Sequence, residues 1–218
     1  IISSPPWGES WSNSKAKDDD FGRFKRGVPA KNRAEWAYIS HMLECMDENE
    51  GRMGVVVPSG VVFRQGKDYD IRKNLVDQKL IDAVINIPGN IFPRITLELV
   101  ILIFKKNRED DSIFFLDASQ DFRALGSRAS LPFESIEKIL NIYKNKECID
   151  GYSKYVSFDE IAGKDYNLSV SLYTEKSVQT ESPGFDALFH ERKNSLLRLN
   201  ELNEEIAKHV IDLSFKDF

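Results

Sequence analysis

Short, almost uninterrupted apolar runs recur along this chain, each closed by turn residues, and they leave little room for any fold but a layered sheet. Met53 to Val57 ends in Pro58-Ser59-Gly60, Ile81 to Ile87 ends in Pro88-Gly89-Asn90, and Leu97 to Lys105 and Ser112 to Asp117 follow. A strand that is apolar at nearly every position must be covered on both faces, because its side chains alternate between them. Between the first two runs, Asp68 to Lys79 places Ile71, Leu75 and Val76 at helical spacing. Strand, helix and strand in succession call for crossover connections, a mostly parallel sheet and helices on both of its faces. The runs at Leu97 and Ser112 follow closely, joined by Asn107 to Asp111, which predicts that these two strands form an antiparallel pair at one edge.

The flanking segments are less regular. Ile1 and Ile2 read as the end of a buried strand that stops at Pro5-Pro6, since proline cannot continue a central ladder. Gly8 to Asn32 shows neither a period of 2.0 nor one of 3.6 and is a long loop, of the kind that is usually functional or disordered. Asn32 is expected to cap a helix running through Asp47, with Ala34, Ala37, Tyr38, His41, Met42 and Cys45 on its inner face. On that face His41 is a satisfied core histidine rather than a ligand. Phe133 to Asn145 is a further helix, Tyr155 to Tyr173 a mixed segment, and Gln179 to Phe185 a linker.

Beyond the linker, Phe185 to Leu213 is expected to form one long amphipathic helix. Leu188, Leu196, Leu199, Leu202, Ile206, Val210 and Leu213 follow close to a 3-4 alternation, with Glu201, Glu204, Glu205 and Lys208 outside it. Leu199, Leu202 and Ile206 are read as contacts to a partner helix, the other reading being a terminal helix folded back on its own domain. Residues 1–120 thus form a half-sheet, 121–178 its extension, and 179–218 the linker and helix.

Composition narrows the class. With 41% hydrophobic residues and 11% aromatic ones the chain can bury a core, which excludes wholesale disorder. Thirty Lys+Arg against 35 Asp+Glu give a formal charge of −5, so the chain does not coat nucleic acid by bulk charge, although a local basic face stays open. Cys45 and Cys148 lack any Cys-x-x-Cys or Cys/His ligand spacing and read as reduced thiols of a cytosolic protein, with no metal site. No apolar run reaches the roughly 18 to 20 residues of a membrane span. The start at Ile1, without Met, suggests a sequence cut from something longer.

Ser4-Pro5-Pro6-Trp7 stands where the first strand ends, the edge at which open α/β sheets place their ligands. A polar residue, two prolines and an aromatic make a rigid corner. Such a corner can present a carbonyl and a side-chain acceptor to an amine while the aromatic stacks on a flat ring. Taken alone, Pro-Pro at a strand end is more often only a turn.

Its accompaniment lifts it. Phe21-Gly22-Arg23-Phe24-Lys25-Arg26-Gly27-Val28-Pro29, Ala34-Glu35-Trp36-Ala37-Tyr38-Ile39-Ser40-His41-Met42-Leu43, Gly54 to Arg64, Ile71-Arg72-Lys73-Asn74-Leu75, Asp82 to Pro88 and Asn90-Ile91-Phe92 occur in that order. Phe114 to Ser119, Val156 to Ile161 and Asp165-Tyr166-Asn167-Leu168 continue the series. The series resembles the modification subunit of type I restriction-modification systems over nearly the whole chain. The resemblance implies an S-adenosylmethionine-dependent methyltransferase acting on adenine N6 of double-stranded DNA. Trp7 would stack on the extruded base, Ser4 and the Pro5 carbonyl would accept hydrogen bonds from its amino group, and Pro5 and Pro6 would shape the turn. The implied partners are a specificity subunit, a restriction subunit and a second copy of the modification subunit.

Two departures from the family pattern stand out. Ser4 occupies the position where adenine enzymes carry Asn or Asp, and Ser-Pro-Pro-aromatic resembles the motif of cytosine-N4 methyltransferases. A hydroxyl is a single-point acceptor with less reach than an amide. A cytosine-N4 enzyme, an adenine enzyme that tolerates Ser, a decayed enzyme and a non-catalytic docking module for the specificity subunit all stay open. Second, the family's Gly-rich cofactor loop is not found; Pro88-Gly89-Asn90 lacks closely spaced glycines, so S-adenosylmethionine binding by this chain alone is expected to be poor. Phe92 could face Trp7 across the base pocket or merely cap its strand. Arg23, Lys25, Arg26, Lys31 and Arg33, beside Phe21 and Phe24, fit a loop that orders on the DNA backbone, an ordinary solvated loop being the alternative.

Overall fold

The computed structural model describes residues 1–92, 95–125, 128–175 and 185–214, without the side chains of 185–188, 191 and 207–214. The chain divides into two units, Ile1–Lys176 and Ser177–Phe218. The first is built on a six-stranded sheet of order β1-β2-β4-β3-β5-β8. These strands are β1 (Ile2–Ser3), β2 (Arg52–Pro58), β3 (Ile81–Ile87), β4 (Leu99–Lys105), β5 (Ser112–Asp117) and β8 (Ser153–Ser157). β1, β2, β3 and β5 share one direction, β4 and β8 oppose it, and β5 with β8 forms an antiparallel pair at one edge.

The expected pairing of the Leu97 and Ser112 runs is corrected. β4 lies between β2 and β3, in register Val55↔Leu102 and Ile85↔Ile101, while β5 pairs parallel with the far side of β3. In that slot β4 gains two ladders instead of one. The connection then passes over the start of β3, where Arg108 donates to the Ile81 carbonyl and, at 2.6 Å, to the Ser112 carbonyl. β8 straddles the start of the Tyr155 to Tyr173 segment and has no strand signature in the sequence, because only Val156 and Ser153 of its five residues are buried.

Both faces of the sheet are covered, as the apolar runs require. On one face Val55, Val57, Val100, Leu102 and Phe104 pack with α1 (Glu35–Glu44) and α2 (Lys67–Asp77). On the other, Ile85, Ile87, Leu99, Phe114 and Leu116 pack with Ile139, Ile142 and Tyr143 of α3 (Phe133–Asn145). Each large side chain removed from water in this way contributes about 1.5 to 3 kcal/mol. Two short strands, β6 (Arg123–Leu125) and β7 (Arg128–Ser130), pair with each other ahead of α3, and α4 (Phe158–Ala162) and α5 (Ser171–Thr174) follow β8.

Three further expectations are revised. Ile1 and Ile2 are 48% and 96% exposed and belong to no buried strand among the described residues. α1 starts after Ala34 with no side-chain cap, rather than at Asn32. Its inner face is Trp36, Ile39 and Leu43, with Glu35 and Ser40, so His41 and Cys45 lie on the exposed side and His41 is no core histidine. The large side chains set the orientation: burying an indole, an isoleucine and a leucine outweighs burying two alanines and a histidine. The displaced face of Ala34, Ala37, Tyr38 and His41 instead meets the 8–33 loop around a 410 Å³ cavity that Trp11 and Phe24 also line.

In the second unit α6 (Phe185–Ser214) is the expected long helix. Leu196, Leu199, Leu202 and Ile206 are 53%, 56%, 42% and 60% exposed. The side chains of Leu188, Val210 and Leu213 and the linker residues 179–184 lie outside the described residues. No described helix is long and apolar enough to cross a membrane.

Candidate functional site

The chain leaves β1 at Ser4 and turns at once through Pro5 and Pro6. Pro5 is buried while Ser4 and Pro6 are exposed, and Ser4 Oγ makes no side-chain hydrogen bond among the described residues. Trp7 is half-buried. Its indole Nε1 donates to the Val56 carbonyl of β2 at 3.1 Å, which fixes the ring against the neighbouring strand. Phe92, after β3, meets it edge-on with ring centroids 5.8 Å apart and planes at 78°. The two aromatics therefore flank the carboxyl edge of the sheet from either side of β4.

Gly8 completes the corner at φ +70°, a conformation that L side chains rarely adopt, with open space where a Cβ would stand. Its amide donates to Glu35 Oε1 at 3.1 Å. Glu35 is 1% exposed, in the first turn of α1, and Arg64 Nη1 lies 3.6 Å from the same oxygen. Sequence reasoning missed both residues, because an acid at a helix start reads as a favourable charge on a helix dipole. Farther along the same edge a 460 Å³ cleft is lined by Pro88, Asn90, Glu98, Ser119, Gln120 and Arg128, among others.

The basic loop is less free than its charges suggest. Arg23 pairs with Asp19, donating from Nε at 2.8 Å, and lies over the rings of Phe21 and Phe24 at 5.3 and 5.7 Å. That guanidinium holds the Asp19 carboxyl below its ordinary value. Lys25 binds Glu44 at 2.9 Å, and Arg26, 5% exposed, reaches Glu44 at 2.5 Å and Gln78 at 2.7 Å. Lys31 and Arg33 are exposed and make no ion pair among the described residues. The loop is closed on itself, with Trp11 bonded to Lys31 and Ala30 and Asn13 to Pro29. Three of the five cations thus act as internal braces.

No group of three or more His, Cys, Asp or Glu among the described residues is placed to hold a metal ion. Nor does any strand among them run into a loop of closely spaced glycines; the turn after β3 contains one.

A mixed sheet with helices on both faces is the fold this chain shares with methyltransferase subunits of type I restriction-modification systems. The corresponding subunit from Streptococcus thermophilus superposes with a TM-score of 0.77 at 36% identity, over 80% of this chain and 37% of that one. The EcoKI M protein shares the fold at 19% identity, with a TM-score of 0.58 over 95% of this chain and 49% of its own. A profile of the N-6 DNA methylase family matches residues 1–182, and the chain belongs to that family. It is 33% identical to the type I restriction enzyme MpnII methylase subunit of Mycoplasma pneumoniae over 98% of its length. Against the MjaVII methylase subunit of Methanocaldococcus jannaschii the identity is 32% over 96%. It spans 40% and 38% of those two relatives.

Proposed function

We propose that this chain carries the base-holding corner of a type I DNA methyltransferase that methylates an exocyclic amine of an extruded base, adenine N6 by family. The Trp7–Phe92 pair beside an exposed Ser4 carries the reading. Trp7, tied to β2 through its indole nitrogen, stacks on the flipped ring while Ser4 Oγ and the Pro5 carbonyl accept hydrogen bonds from its amino group. Those acceptors strengthen their hydrogen bonds as positive charge develops on the nitrogen, and the two prolines keep them in place at little entropic cost. S-adenosylmethionine supplies the methyl group, and the family membership supports it as the donor.

In the assembled enzyme, Trp7→Ala is expected to abolish methyl transfer while DNA binding persists; unchanged turnover would remove Trp7 from the site. Mass spectrometry of nucleosides from the methylated DNA then reads the product. N6-methyladenine supports the family assignment, whereas N4-methylcytosine supports the second reading, which Ser4 favours.

The exposed stripe on α6 supports a helix-mediated subunit contact, with the specificity subunit as the proposed partner and a restriction subunit and a second modification subunit in the larger assembly. Replacing Leu199, Leu202 and Ile206 with Asp should release that partner in size-exclusion runs without unfolding the sheet. Continued co-elution would remove these residues from the contact. Of the basic loop, Lys31 and Arg33 remain as proposed contacts to the DNA backbone.

A further inference from the structure

Behind Gly8 the chain buries more charge than its packing needs. Glu35 reaches Gly8 through one oxygen, while its other oxygen, Oε2, has no hydrogen-bond partner. Arg64 Nη1, also without one, lies 3.6 Å from Glu35 Oε1 and 4.0 Å from Asp68 Oδ2. Arg72, fully buried, donates to the Arg64 carbonyl at 2.6 Å and to the Tyr166 carbonyl at 3.1 Å. Gly60 stands against the Arg64 guanidinium, where a Cβ would come within 3.0 Å.

Such a cluster is costly for stability. A buried ion pair is often replaceable by apolar side chains at no loss, and an unsatisfied buried oxygen costs free energy outright. An arrangement of this kind persists where it does something that packing cannot. Here Glu35 holds the amide of the residue next to Trp7, in a turn of left-handed φ with open space on the side where a Cβ would stand.

We propose that Glu35, braced by Arg64, is a positioning residue for methyl transfer. It fixes the Gly8 turn, and through it the angle at which Trp7 meets the base. The inference rests on the proposed role of Trp7. Glu35 itself touches neither base nor donor. A carboxylate suits the task because a charge-assisted hydrogen bond is about twice as strong as a neutral one, and α1 anchors it rigidly through Trp36, Ile39 and Leu43.

The test is made in the assembled methylase on two DNAs: the unmodified site for turnover, and the same site with 2-aminopurine at the target position, which lacks the 6-amine to be methylated and whose fluorescence rises when the base is extruded. The wild-type complex should methylate its normal site and brighten the probe; failure there overturns the proposed function rather than this inference. Glu35→Leu/Arg64→Met removes both members of that pair, so neither is left buried without the other, while Gly8 loses its acceptor. Its kcat should fall about 10- to 100-fold with KM for DNA unchanged, and the probe should brighten yet sit in an altered environment. A kcat equal to wild type in the folded double variant overturns the proposal. Hydrogen exchange in the wild-type complex gives a reading independent of any substitution. The Gly8 amide should exchange far more slowly than the exposed Glu9 and Ser10 amides, and equal rates also overturn it.

Discussion

Two carboxylates, Asp82 and Glu35, are buried on different elements of the same unit, and their surroundings differ in one respect. Asp82, at the start of β3, accepts from the Tyr143 hydroxyl at 2.5 Å and from Lys146 Nζ at 2.9 Å, with Arg108 3.3 Å away. Lys146 also lies 4.2 Å from the Tyr143 ring centroid and 5.2 Å from that of Phe114. Every group around Asp82 ties β3 to α3 or to the loop before β5, and none lies at the carboxyl edge. Glu35 has one firm bond, to the backbone of the candidate site, and an idle oxygen. The Asp82 cluster, where Arg108 Nε is likewise without a hydrogen-bond partner, ties elements of the fold together. The Glu35 cluster reaches the backbone of the candidate site instead.

The largest test of that contrast is Asp82→Ala. It strands Lys146 and Arg108, and should lower stability by about 3 to 5 kcal/mol in denaturant unfolding, with turnover per folded molecule unchanged. A rate loss as large as that expected for Glu35 would erase the distinction between the two clusters. Gly8→Ala reverses the pattern. There is room for the methyl, so only the φ of +70° opposes it, costing about 1 to 2 kcal/mol, whereas turnover should drop well beyond what that stability loss explains.

Acid titration gives a smaller effect of opposite sign at the two places. Burial pushes Asp82 up, but hydrogen bonds from Tyr143 and Lys146 and the nearby cations outweigh it and hold its carboxyl below the ordinary 3.8. An acid with a depressed folded-state pKa contributes stability that is present above its unfolded value and lost as pH falls through the folded one. Burial also depresses Lys146, so the pair stabilises less than the carboxylate's shift alone implies. Asp68, beside Arg64, is raised from 3.8 chiefly by burial, so its charged form costs stability at neutral pH and protonation relieves that cost. Unfolding across pH 2 to 7 should therefore show Asp82→Asn flattening the acid loss and Asp68→Asn neutral to stabilising at pH 7. Matching slopes for the two variants would contradict the assignment.

The sheet was legible because its inner strands are apolar at nearly every position. Ile81–Ile87 and Leu99–Lys105 announce themselves however they pair. Their neighbours were not legible, since pairing depends on which ladder edges are free, and Asn107 to Asp111 reads equally as a hairpin turn or as a passage over the start of β3. Helical spacing in α1 admits two stripes, and only the bulk of Trp36, Ile39 and Leu43 decides between them. Trp7 stands out in the sequence by the rigid corner at a strand end, which the resemblance reinforces, and Phe92 by its place after the Ile81 strand. Glu35 and Arg64 escaped because their partnership spans 29 positions and a backbone amide, a link that no residue pattern carries.

The position of β4 has a consequence for how the site comes into being. Trp7 is fastened to β2 and Phe92 follows β3, yet the strand that lies between those two is made after both. A growing chain that ends before Leu99 has every residue of the aromatic pair and nothing to hold its members at the right separation. The sheet cannot zip in order of synthesis; its centre is filled late, by pairing across about fifty residues on the β2 side, a slow kind of step in folding. Until that strand inserts, nothing sets the separation of the two rings, so the geometry of the candidate site is tied in time to completion of the core.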